Sequence, residues 1–159
     1  MNLLQNVLRL LSKKENQMRI NVIPVSLLLD QHLRAEFREI IMSIHFYKKS
    51  LASPKGIDKT KISSKYTLNQ GHAYMWYNKF GYIKKRYFEL LDEMKLRGFK
   101  TDEIESKFIP LFDEVIPLEI QNDYTPTQED IQINLDRIKE KIKLRPNWYK
   151  FYSETITEM

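Results

Sequence analysis

Residues 18–39 read MRINVIPVSLLLDQHLRAEFRE, a short extended segment that runs directly into a helix with one apolar and one polar side. Leu33, Phe37, Ile40, Ile41 and Ile44 fall at i, i+4, i+7, i+8 and i+11, which predicts one apolar stripe, and Asp30 stands where an N-cap is expected. The opposite side is polar. At about 100° per residue, His32 and Glu39 lie within about 20° of each other, with Glu36 beside them and Arg34 and Arg38 on the flanks. One histidine and two carboxylates so spaced suit a metal on geometry alone, but no second cluster of ligands accompanies them.

Outward from this helix, predicted over 30–50, the chain turns basic and loop-like through Lys48, Lys49, Ser53-Pro54-Lys55-Gly56, Lys59 and Lys61. Residues 66–77 mix aromatic residues with Asn69-Gln70-Gly71-His72 and show no clean period, so loop and short helix are expected. A second helix follows over 79–97, with Ile83, Tyr87, Leu90, Leu91 and Met94 on one face and Gly98 as its C′ residue. Lys84, Lys85 and Arg86 on its early turns suit either phosphate contact or a solvated face. Residues 100–124, punctuated by Pro110 and Pro117, read as irregular structure anchored by Phe108, Leu111, Phe112, Val115 and Ile116. The third helix opens at Thr127 as N-cap, carries Ile131, Leu135, Ile138 and Ile142 as its stripe, and stops at Arg145-Pro146. The expectation is an all-α, compact single domain of three main helices with irregular connections.

A chain of 159 residues holds one core and not two, and 42% hydrophobic against 30% charged residues is the balance of an ordinary globular domain. No run of about 18 apolar residues exists to span a membrane. Without cysteine there is no disulfide framework and no thiolate chemistry, which suits a reducing intracellular compartment. The net charge of +5 points weakly to a polyanion; its distribution says more. Residues 102–130 hold nine acids against Lys107 alone, whereas residues 137–150 hold six bases against Glu140 alone. In the latter stretch Arg137, Lys141 and Arg145 recur every four residues as a basic ridge, and the tail NWYKFY sets four aromatic residues around Lys150.

The run INVIPVSLLLDQHLRAEFREI over 20–40, followed in order by KISSKYTLNQGH (61–72), KKRYFELLDEMKLRGF (84–99), NDY (122–124) and RIKEKIKLRPNWYKFY (137–152), resembles the pyrimidine-dimer DNA glycosylase and abasic-site lyase family of the phage endonuclease V type. The resemblance implies excision of cyclobutane pyrimidine dimers in UV-damaged double-stranded DNA by a monomeric base-excision-repair enzyme without metal or cofactor. It also implies that the α-amine of the first mature residue attacks the sugar while a glutamate on the first helix assists. By position these are Met18 and Glu39. Arg19, Gln31, His32 and Arg38 would line the lesion and phosphate site, His72 would lie near the DNA, Arg137 and Lys141 would grip the backbone, and Trp148, Tyr149 and Lys150 would form the lesion-recognising tail. Met42 stands where the phage-type pattern has a basic residue, so that contact is missing here.

An α-amine suits such chemistry because, with reference pKa values of about 7.8 and 10.4, roughly a third of it is neutral near pH 7.5 against about 0.1% of a lysine. The chain nevertheless carries MNLLQNVLRLLSKKENQ ahead of Met18. These residues have an amphipathic pattern too short for a span and lack the basic start and cleavage site of a secretory signal. Residues 1–17 are therefore expected to be an upstream extension, with translation starting at Met18, or else an appended helix ahead of a glycosylase-like domain over 18–159. In a chain that keeps them the Met18 nitrogen is an amide. The alternative is then a non-catalytic or precursor DNA-binding protein.

Overall fold

A computed structural model describes Leu3 and residues 18–156; the rest of the 1–17 extension, and with it the expectation made there, lies outside the described residues. The all-α expectation holds, with five helices of ten or more residues among those described: α1 (Asp30–Glu39), α2 (Met42–Ala52), α3 (Phe80–Leu96), α4 (Asp102–Val115) and α5 (Gln128–Leu144). A single helical turn, His72–Met75, precedes α3, and an antiparallel hairpin of β1 (Lys150–Phe151) and β2 (Glu154–Thr155) follows α5.

The expected 30–50 helix divides in two. The Ser43 hydroxyl donates to the Ile40 carbonyl at 2.7 Å and the Ser43 amide bonds the same oxygen at 3.2 Å, so a turn replaces the helical ladder there. The expected loop over 100–124 contains α4 instead, despite Pro110 within it. Phe108 and Phe112, one turn apart and both 0% exposed, bury against α3 and α2, while Asp102, Glu103 and Glu105 suit the positive end of the helix dipole. Burial of two phenylalanines, worth about 2 kcal/mol each, offsets what a helical proline costs. Gly98 ends α3 with φ of +80°, as its placement predicts, and Thr127 and Asp130 close a reciprocal capping box at the start of α5.

The entry segment ahead of α1 lies at the centre of the core, where Met18, Ile20, Val22 and Ile23 are all buried. An extended strand there without a neighbouring strand must satisfy its backbone groups on side chains. Asn134 of α5 accepts from the Val22 and Ile23 amides at 2.7 and 3.2 Å, and His72 Nε2 accepts from the Ile20 amide at 2.8 Å. Tyr66 donates its hydroxyl to the Ile20 carbonyl at 2.8 Å, and Arg86 donates Nη1 to the Ile23 carbonyl at 2.6 Å. Side chains from α3, α5 and the 66–72 passage thus fix both edges of residues 20–23.

Candidate active site

Glu39 ends α1 and reaches back towards that entry segment. Its half-buried carboxylate accepts a hydrogen bond from the backbone N–H of Arg19, the residue directly after Met18. Burial raises its pKa to about 7, although that hydrogen bond and the charges of Arg38, Lys141 and Arg19 pull the other way. Such a carboxyl gains and loses a proton at neutral pH. A cavity of about 380 Å³ opens beside it, lined by Gln31, His32, Arg34, Arg38, Lys141, Trp148 and Tyr149 among others. A smaller cavity of about 60 Å³ beneath brings Arg19, His32, Glu39, Ile138 and Lys141 together. The structure therefore assembles Arg19, His32, Arg38, Glu39, Lys141, Trp148 and Tyr149 from the entry segment, α1, α5 and the tail, while the side chain of Met18, next to Arg19 in the chain, is buried in the core.

Several polar atoms here lack partners. His32 stacks on buried Tyr149 with ring centroids 4.7 Å apart, and neither of its ring nitrogens has a hydrogen-bond partner among the described residues. Burial, with Lys141 and Arg19 adding positive charge, lowers its pKa to about 4, so the ring is neutral at pH 7. Arg19 Nη1 is likewise buried without a partner, and so is Nε of Arg137, whose Nη1 pairs with Glu140 at 3.2 Å. Orphaned buried donors beside a cation-lined cavity are the groups that a polar, anionic ligand satisfies.

Other predicted residues take different places. His72 is 3% exposed, and its ring is spent on the Ile20 amide and on the Thr67 carbonyl 2.8 Å away. It is a core histidine whose ring positions the entry segment and has no free nitrogen to offer a ligand. Gln31 lines the cavity, yet its amide clamps the tail: Nε2 donates to the Trp148 carbonyl at 2.7 Å and Oε1 accepts from the Lys150 amide at 2.9 Å. Asp30 is the first helical residue and not the N-cap, which is Leu29. Its oxygens accept from the amides of Tyr152 and Ser153 at 3.1 and 2.8 Å and from Arg97 at 3.0 Å. Arg86 is buried against Glu36 at 2.7 Å rather than offered to phosphate, and Glu36 also accepts from Asn21 at 2.8 Å. His32, Glu36 and Glu39 all line the smaller cavity, but Glu36 is engaged by Arg86 and Asn21, and no group of His, Cys, Asp or Glu able to hold a metal occurs among the described residues.

Sequence reasoning missed the supports. Asn134, Asn21, Glu36 and Arg86 form one buried chain of hydrogen bonds beneath the site, closed by the 2.7 Å bond between Asn134 and Asn21. Glu36 and Arg86 stood out in the sequence as a polar-face carboxylate and an early-turn cation, but not as partners of each other, and Asn134 carried no signal. No described helix is long and apolar enough to cross a membrane. Compared with known protein families, residues 18–105, just over half of the chain, match the model described as pyrimidine dimer DNA glycosylase. The match spans the entry segment, α1, α2 and α3, and with them Met18, Arg19, His32, Arg38 and Glu39.

Proposed function

Since the chain belongs to the pyrimidine dimer DNA glycosylase family, whose substrate is DNA, we propose that it pairs dimer excision with abasic-site lyase chemistry through the α-amine of Met18, once that residue is the mature N-terminus. The observation that carries this reading is the contact between the Glu39 carboxyl and the N–H of Arg19. It holds the acid one residue away from the proposed amine, at the floor of a cavity rimmed by Arg38 and Lys141.

In the proposed reaction the amine lone pair attacks C1′ of the damaged nucleotide, and the glycosidic bond breaks with its electron pair leaving on the pyrimidine, which takes a proton. Positive charge on the sugar is stabilised by ionised Glu39, a contribution that is large in a site screened from water. Opening of the sugar ring, with its oxygen protonated, gives an imine between Met18 and C1′. The imine then accepts the electron pair released when a base removes the C2′ proton, and the C3′–O bond breaks to release the 3′ phosphate. Glu39, with a pKa of about 7, suits that proton transfer. Arg19, Arg38 and Lys141 neutralise phosphates around the nucleotide, and exposed Trp148 offers a stacking face. Extrusion of a nucleotide at the lesion is easier where pairing and stacking are already weak, which favours damaged duplex without a base-edge code.

The test is single-turnover excision on duplex DNA carrying one cyclobutane dimer, using a chain that begins at Met18. Glu39→Gln is expected to slow cleavage by about 100-fold or more, the size of effect known for a lost electrostatic stabiliser, with binding of the same duplex retained. A wild-type rate in that variant overturns the role of Glu39. In a chain that keeps residues 1–17, the same reading expects salt-dependent DNA binding without cleavage.

A further inference from the structure

We propose that Arg34 is a phosphate-binding residue that extends the DNA interface past the Glu39 cavity, towards the C-terminal hairpin; this rests on the DNA reading above. Arg34 is exposed on the outer side of α1, one turn before Arg38. It lines the Glu39 cavity and also a neighbouring cavity of about 420 Å³ bounded by Asp30, Gln31, Phe99, Asn147, Trp148, Lys150 and Ser153. The two share Gln31, Arg34 and Trp148, so they adjoin at the Arg34 side chain and together make a groove for a strand.

The charge in that groove is one-sided. Its carboxylate, Asp30, is 5% exposed and already engaged by Arg97 and by the amides of Tyr152 and Ser153. The cations Arg34 and Lys150 therefore face the groove without a free acid opposite them. On the other side of Arg34 a cavity of about 400 Å³ places Asp102 and Glu103 among Arg38 and Lys100, a mixed surface less suited to a phosphodiester. The geometry thus directs the strand towards the hairpin.

Arg34 is also pre-set for the task. Its guanidinium lies over the Phe99 ring, 5.0 Å from the centroid. Stacking fixes the plane of the fork and leaves its N–H edge free for two phosphate oxygens. Unlike Lys85, Lys95 and Arg137, each held by an acid, Arg34 makes no ion pair among the described residues. Trp148, 46% exposed between the two cavities, offers an adjoining base a ring to stack on.

The experiment compares the full chain with Arg34→Gln and Arg34→Lys, measuring the Kd for undamaged and dimer-containing duplex between about 50 and about 200 mM salt. Loss of one phosphate contact is expected to make the wild type lose about threefold more affinity than Arg34→Gln over that range, on both duplexes, while Arg34→Lys follows the wild-type salt slope. An Arg34→Gln variant with wild-type affinity and slope overturns the proposal, and so does weaker binding at an unchanged slope, which belongs to lost packing on Phe99. If the wild type itself shows no salt-dependent binding, the DNA reading fails and not merely the role of Arg34.

Discussion

Burial around Glu39 acts on stability as well as on chemistry. With its pKa raised from 4.5 to about 7, the folded chain holds a proton between those values that the unfolded chain has released. Ionisation therefore weakens the fold as pH rises through about 7. Glu39→Gln is accordingly expected to raise the Tm at pH 8 relative to the wild type, with the difference shrinking towards pH 5; thermal melts at the two pH values check it. His32 and His72 have the opposite sign. Burial lowers each from 6.5 to about 4, so their contribution is complete above pH 6.5 and is lost progressively as pH falls to about 4. Protonated His72 also loses the lone pair that accepts the Ile20 amide. Melts of the Glu39→Gln variant, free of the opposing carboxyl, should show Tm falling through that window; a flat acid limb would contradict the neutral, buried state of both rings.

At the scale of elements, two devices position the site. The entry segment hangs on Asn134, whose single oxygen takes two amides and whose NH2 reaches Asn21. Asn134→Ala strands those amides in the core and is expected to cost about 2 kcal/mol, read by urea unfolding, and to lower excision through misplacement of Met18 and Arg19. The hairpin hangs on Asp30. Tyr152 and Ser153 at its tip have φ of +50° and +69°, a tight turn that favours Gly and Asn, and Asp30 accepts both of their amides. Asp30→Ala also leaves Arg97 with less compensation in the core, so a loss of about 3 kcal/mol is expected. Both devices explain what the sequence did and did not reveal. Stripes such as Ile83–Tyr87–Leu90 are local and periodic, so α3 and α5 were legible from 3.6-residue spacing. Glu39 and His32 were legible because α1 carries them on one polar face, with Arg38 on its flank. Asn134 and Asn21 lie 113 positions apart, and Arg86 and Glu36 lie 50 apart, so no window of sequence shows that they meet. Helix α4 was hidden by Pro110, since the burial of Phe108 and Phe112 that outweighs it is tertiary.

For the whole molecule, the cations that gather beside α1 come from three separate stretches of the chain and not from the basic ridge of α5 alone. Arg19, Arg34, Arg38 and Lys141 surround the cavities beside α1, while several of the acids in residues 102–130 cap α4 and α5. Non-specific DNA affinity should therefore fall steeply and linearly on a log–log scale as salt rises, and Lys141→Gln should flatten that line by about one contact; an unchanged slope places Lys141 outside the interface. In the reaction we propose, catalysis runs through a nitrogen and not through activated water. The measurement that tests it most directly is borohydride reduction of the chain beginning at Met18 while it acts on dimer-containing duplex, followed by peptide mass mapping. A covalent DNA adduct on the α-amine of Met18 is expected, absent when that amine is acetylated beforehand. Full excision with no trapped adduct, or an adduct mapping to a lysine, would contradict it.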